Sequence, residues 1–163
     1  MDDLLLPRAI ATVLNSDTYS AFRDLITTVT PPGVIAAAQD AAALQRPTLT
    51  VSGKMGQFTR GRIGDLFLEL RSRVGDENDD KPHAARFSAL YTALFGADST
   101  DDATQLANLA TAKATLKAAL AALPAGAVTL ADYGPAAEAF EQTFDGEDLL
   151  TRITLRVAWL PGA

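Results

Sequence analysis

Among 163 residues there is one histidine, His83, and no cysteine, so few side chains can act as nucleophile, general base or soft metal ligand. Disulfide frameworks, thiol nucleophiles, cysteine-rich zinc sites and any Ser-His-Asp triad not built on His83 are excluded. His83 follows Pro82 at an expected helix start, where it could tune a carboxylate, but a lone histidine there reads more simply as a surface residue. The run Asp76-Glu77-Asn78-Asp79-Asp80 has the alternating oxygens of a calcium loop. A loop begun at Asp76 would need glycine where Lys81 stands and a bidentate glutamate where Phe87 stands, so the simpler reading is a solvated turn with Asp80 capping the next helix. Gly53-Lys54 lacks both the earlier glycine and the following hydroxyl of a phosphate-binding loop, since Met55 comes next. Glu141, Asp145, Glu147 and Asp148 are acidic, but nothing in the sequence isolates one of them in an apolar pocket as acid–base work requires. The residues predict no catalytic, metal or cofactor site.

These side chains must be positioned by a mixed set of elements. Leu5, Leu6, Ile10 and Val13 lie near one face of a helix over Asp3 to Val13, and Tyr19, Phe22, Leu25, Ile26 and Val29 predict a second, ended by Pro31-Pro32-Gly33. Val34 to Leu44 reads as helix or packed connector. At Pro47 to Ser52 the period changes to the alternation of a half-buried strand, and Asp65 to Val74 repeats it with Leu66, Leu68, Leu70 and Val74 on one side. Between them, Gly53 to Gly64 is Gly-rich and polar and is expected to be a long basic loop. Helices follow from Pro82 to Gly96 and from Asp101 to Leu123, the latter with Leu106, Leu109, Ala112, Leu116, Leu120 and Leu123 inward. Val128 to Ala131 predicts a short strand, Asp132-Tyr133-Gly134-Pro135 a turn, and Phe140 and Phe144 sit in a connector. Leu150 to Leu160 alternates Ile153, Leu155, Val157 and Trp159 with polar partners, a second clear strand.

The expected fold is therefore α+β: one domain over 1–163 with a small, mostly antiparallel sheet packed by helices. It has a helical N-terminal region 1–44 and a strand-loop-strand section 46–74. Length and apolar content suit one core. The N-terminus places Asp2 and Asp3 where a signal peptide needs base, and the uncharged stretch Leu25 to Gln39 is interrupted by prolines and shorter than a bilayer span.

The net charge of -6 opposes general binding to nucleic acid. Its distribution is uneven. Residues 46–73 hold six basic side chains (Arg46, Lys54, Arg60, Arg62, Arg71, Arg73) against Asp65 and Glu69, a local excess of four, which leaves ten net negative charges elsewhere. The loop is then either a docking element for an acidic surface or a mobile solvent loop, and on the first reading Lys54, Arg60 and Arg62 form the interface. Glu69, Arg71 and Arg73 also permit cross-strand pairing with Arg152 and Thr154. Aromatic residues are 7% of the chain and the longest helix is alanine-rich, so burial per residue is modest and self-association could add to it.

The order of elements resembles the tail terminator, or tail-completion, proteins of long-tailed bacteriophages and related tailed particles. The resemblance is carried by the N-terminal helix ending near Val13-Leu14, the strand entry Arg46-Pro47-Thr48-Leu49-Thr50-Val51, the strand Asp65-Leu66-Phe67-Leu68-Glu69-Leu70, the helix from Pro82, and the closing Ile153-Thr154-Leu155-Arg156-Val157-Ala158-Trp159. It implies a non-catalytic virion protein, made in the host cytoplasm and assembled as a sixfold ring. That ring would end tail-tube growth and join the tail to the head connector, with the chain itself, the tail tube protein and the connector as partners. The alternatives are another head-tail neck component or a non-catalytic domain for a small molecule or peptide.

Overall fold

A computed structural model of the chain describes residues 5–26, 28–30, 47–55, 62–73, 81–124, 128–146 and 148–161. The elements in order are α1 (Leu5–Leu14), a 3-10 turn (Asp17–Tyr19), α2 (Ser20–Arg23), β1 (Thr28–Thr30), β2 (Thr48–Met55), β3 (Arg62–Arg73), α3 (Lys81–Phe95), α4 (Asp102–Ala121), β4 (Val128–Asp145) and β5 (Asp148–Pro161). The fold is α+β, as expected. The five strands form one sheet in the order β1-β2-β3-β5-β4, antiparallel throughout except for the short parallel pair β1-β2.

The alternation read from the sequence sets the layers. Leu66, Leu68 and Leu70 of β3 meet Ile153, Leu155, Val157 and Trp159 of β5 on one face, joined by Leu49 and Val51 of β2. All are buried, and they pack against Leu6, Ile10 and Val13 of α1, Leu90 and Leu94 of α3, and Leu116 and Leu120 of α4. Among the described residues, helices thus cover one sheet face only. The opposite face shows Phe67, Glu69, Arg71, Arg152, Thr154 and Arg156, half-buried or exposed. A two-layer arrangement of this kind needs no second helical layer, because an antiparallel sheet can solvate one face.

Local signals account for the helix ends. Asp101 caps α4 by accepting the Thr104 backbone N–H at 3.0 Å and its hydroxyl at 2.6 Å. Gly96 ends α3 with φ +84°, and a Cβ there would lie 2.4 Å from the Asn108 carbonyl oxygen, so the corner between α3 and α4 requires glycine.

Four expectations are corrected. The second helix is short, a 3-10 turn and α2, and Thr28–Thr30 is strand β1 inside the region expected to be helical. The run Thr27-Thr28-Val29-Thr30 is β-branched throughout, which favours strand over helix despite the helical spacing before it. Strand pairing continues past the expected ends of the basic loop: Gly53 pairs with Leu66, Lys54 with Asp65 and Met55 with Gly64. The expected turn and connector over 132–144 belong to β4, an edge strand of 18 residues. It absorbs Ala131 as one bulge and residues 136–139 as a larger one, four residues set opposite Thr154 alone, with Pro135 beside it where an edge strand tolerates a missing N–H. Leu106, expected inward, is 67% exposed. The piece Val34 to Leu44 and the acidic run Asp76 to Asp80 lie outside the described residues.

Candidate functional site

His83 is buried, not a surface residue: only 3% of it is exposed. It stands in the first turn of α3 over the end of the sheet, with Nδ1 2.8 Å from Ser72 Oγ on β3 and Nε2 2.7 Å from Thr151 Oγ1 on β5. Arg86, one turn further along α3, donates from Nη1 to the same Ser72 Oγ at 3.1 Å and from Nε to the Leu25 carbonyl at 2.8 Å. Partial burial holds the Arg86 guanidinium below its ordinary pKa. An imidazole beside a serine hydroxyl has the parts of a nucleophile pair, but Ser72 is 1% exposed and already accepts from Arg86, which keeps substrate from it. The cluster acts as a polar tie between α3 and the sheet.

Beside it opens a groove of about 540 Å³ between α3 and the outer end of the β4-β5 hairpin. Its walls are Phe87, Tyr91, Phe140 and Leu149, with His83 and Thr151 among its lining. Phe87, Tyr91 and Phe95 follow one another at intervals of four on α3 and so share a helix face. Phe140 crosses to them from β4, its ring centroid 6.0 Å from Phe87, 6.0 Å from Tyr91 and 6.2 Å from Phe95. These separations suit tilted and edge-on aromatic contacts. Phe140 nonetheless stays 49% exposed, and Phe144, four residues further on the same face of β4, is 66% exposed.

The open sheet face carries a second arrangement, a ladder of ion pairs between β3 and β5. Glu69 Oε1 accepts from Arg152 Nε at 3.0 Å and Nη2 at 2.9 Å, and Arg152 lies 4.6 Å above the Phe67 ring. Asp65 pairs with Arg156 at 3.2 Å and Arg71 with Asp148 at 2.9 Å, Asp148 being buried. The expected Glu69–Arg152 pairing is therefore present. Asp148 is the first residue of β5.

Of the residues expected to form an interface, Lys54 stands in β2 opposite Asp65, and Arg62 opens β3 opposite Trp159. Both belong to the same end of the sheet, the end away from the aromatic groove; Arg60 lies outside the described residues. On the open face near that end, Ile63 pairs with Ala158 and Leu160 is the next residue of β5 on the same side; both are partly exposed. Phe87 and Tyr91 fall in the helix expected from Pro82 to Gly96, but the groove is not legible in the sequence, because another of its walls, Phe140, comes from β4 in a segment expected to be a connector. Among the described residues, no group of three or more His, Asp or Glu could hold a metal ion, and no helix is long and apolar enough to cross a membrane. No protein-family model and no curated protein matches the chain.

Proposed function

We propose that the chain is a non-catalytic assembly subunit, a tail-terminator-like ring protein of a tailed particle that ends tube growth and joins the tail to a head connector. The observation that supports this best is the presence of two unlike exposed apolar sites in different layers. Ile63 and Leu160 lie on the open sheet face at the end of the sheet where Lys54 and Arg62 stand in their strands, whereas Leu106 lies on the exposed side of α4 in the helical layer. A contact that joins two different surfaces of one chain is heterologous, and repeated head to tail it closes into a ring when the rotation permits. The basic strand ends give that contact a charge to match against a body that is otherwise acidic.

The test is light scattering over a range of concentration and salt, alone and with tail tubes, on the native chain and on a variant with Lys54, Arg60 and Arg62 all changed to Glu. A ring-sized particle that the triple variant cannot form, while its circular dichroism is unchanged, is the expected result. Assembly indifferent to the triple substitution removes the basic end from the interface. A monomer that stays monomeric with tubes present overturns the ring reading and favours the second one, a peptide or small-molecule domain using the aromatic groove, whose volume is within the range of ligand pockets.

A further inference from the structure

We propose that two copies of this chain also join edge to edge through β4, residues 140–144 pairing antiparallel about a two-fold axis at Gln142. This contact is separate from the ring contact above and does not depend on it.

Three observations lead to it. Strand β4 is an edge of the sheet, and among the described residues it pairs only with β5. From Phe140 to Phe144 every residue is exposed, so this part of the edge has its outer row of backbone groups open to a further strand. Phe140 and Phe144 both project on the side of the aromatic groove, and both remain about half or more exposed beside a cavity that has room for another ring.

The sequence of the segment, Phe140-Glu141-Gln142-Thr143-Phe144, decides the occupant. Read antiparallel against itself about Gln142, it sets Phe140 of one copy opposite Phe144 of the other, Glu141 opposite Thr143, and Gln142 opposite Gln142. Each pair is one that stabilises neighbouring strands: an aromatic pair, a carboxylate facing a hydroxyl donor, and two amides. No like charges face each other. Shifting the register by one residue would turn the phenylalanines of one copy to the wrong face. Directly opposed side chains have Cβ atoms about 5 Å apart, so Phe144 of the second copy would lie next to Phe140 and over the mouth of the groove formed with Phe87 and Tyr91. Both phenylalanines of each copy and the groove would be covered at once.

The contact also limits itself. On one side of the segment the bulge at 136–139 interrupts the strand, and on the other Gly146, with φ +63°, begins the turn into β5. Five residues can therefore pair, and the two-fold axis places bulge against turn at both ends. An edge occupied in this way is closed to unlimited strand addition.

Because the chain has no cysteine, a single introduced one reports the axis directly. In Gln142→Cys the two thiols face each other across the two-fold, at a Cα separation within the span of a disulfide, whereas in Glu138→Cys they lie eight strand positions apart. Mild oxidation is expected to link Gln142→Cys into covalent dimers and leave Glu138→Cys as single chains. Without oxidation, light scattering is expected to give twice the 17.2 kDa chain mass, falling on dilution. Gln142→Lys, which opposes two like charges at the axis on an exposed position, should raise the concentration for half-dimerisation at least about tenfold. No cross-linking of Gln142→Cys, or equal cross-linking of both cysteine variants, overturns the two-fold contact. A ring-sized particle whose subunits do not link through Gln142→Cys also overturns it and leaves the ring reading standing. A dimer that responds to Gln142→Lys but never enlarges with tail tubes supports it and counts against the ring.

Discussion

The Nε2 atom of His83 lies 2.7 Å from the hydroxyl of Thr151, which fastens the first turn of α3 to strand β5. Both groups are buried, so the bond is made where water cannot replace it. His83→Ala leaves the Thr151 hydroxyl without this partner and opens a void behind the groove, and is expected to cost about 2–4 kcal/mol in urea unfolding. Thr151→Val, which removes one polar group and keeps the shape, should cost about 1 kcal/mol less than that. In a double-mutant cycle the two changes should be strongly non-additive; additivity would mean that His83 acts through its other contacts and not through Thr151.

The corner between α3 and α4 depends on Gly96. Its backbone has φ +84°, and an added Cβ would lie 2.4 Å from the Asn108 carbonyl oxygen and 2.9 Å from the Asn108 Cβ. Neither is the end of a flexible side chain. Gly96→Ala therefore combines an unfavourable backbone conformation with a clash against helix backbone, and about 2 kcal/mol or more of stability should be lost. Thermal unfolding followed by circular dichroism checks it. A neutral result would mean that α4 can slide away from α3 at little cost.

What could be read in the sequence follows from how local each signal is. Strands β3 and β5 lie side by side in the sheet with one face buried, so their alternation is complete and visible: Leu66, Leu68 and Leu70 in one, Ile153, Leu155 and Val157 in the other. Strand β4 obeys the same rule, but the bulges at Ala131 and 136–139 shift its phase twice, so no window of it alternates for long. The helical spacing of Tyr19, Phe22, Leu25 and Ile26 is real in the sequence, yet the structure uses only Tyr19 and Phe22 for the inner core and turns to strand at the β-branched run that follows. His83 gave no local sign of burial, since the hydroxyls that satisfy it come from 11 residues upstream and 68 downstream. Of the candidate surfaces, the basic end was legible as charge and the aromatic groove was not, because it exists only once β4 folds back beside α3.

The Glu69–Arg152 pair on the open face should contribute little to stability although Glu69 accepts two bonds from the one guanidinium. Arg152 and Glu69 are both partly exposed, so water screens the attraction and replaces much of what is lost on removal. A double-mutant cycle with Glu69→Ala and Arg152→Ala is expected to give a coupling below about 1 kcal/mol, shrinking further in high salt. Arg152→Ala alone should cost somewhat more than the coupling, because its guanidinium also covers the Phe67 ring at 4.6 Å. A coupling of several kcal/mol would show that the open face is drier than its exposure indicates.

Alkaline pH should unfold the protein through two tyrosines that share the inner side of the helical layer. Burial pushes the Tyr19 phenol up to about 12, and among the described residues its hydroxyl has no hydrogen-bond partner. Tyr133 is raised in the same direction, first by burial and then by Tyr19 and Asp132, and its hydroxyl donates to the Leu94 carbonyl. A phenol whose folded pKa lies above the ordinary value near 10 stays neutral in the folded chain while the unfolded chain ionises. The stability it contributes is therefore fully present below pH about 10 and is lost as pH rises from there toward about 12. Urea midpoints measured across that interval should be flat and then fall. Tyr19→Phe should flatten part of the fall and, having no hydrogen bond to lose, leave stability at neutral pH nearly unchanged, whereas Tyr133→Phe should cost about 1 kcal/mol there through the lost bond to Leu94. Equal effects of the two substitutions at neutral pH would mean that Tyr19 has a partner after all, and a fall that Tyr19→Phe leaves untouched would assign the alkaline transition to Tyr133 alone.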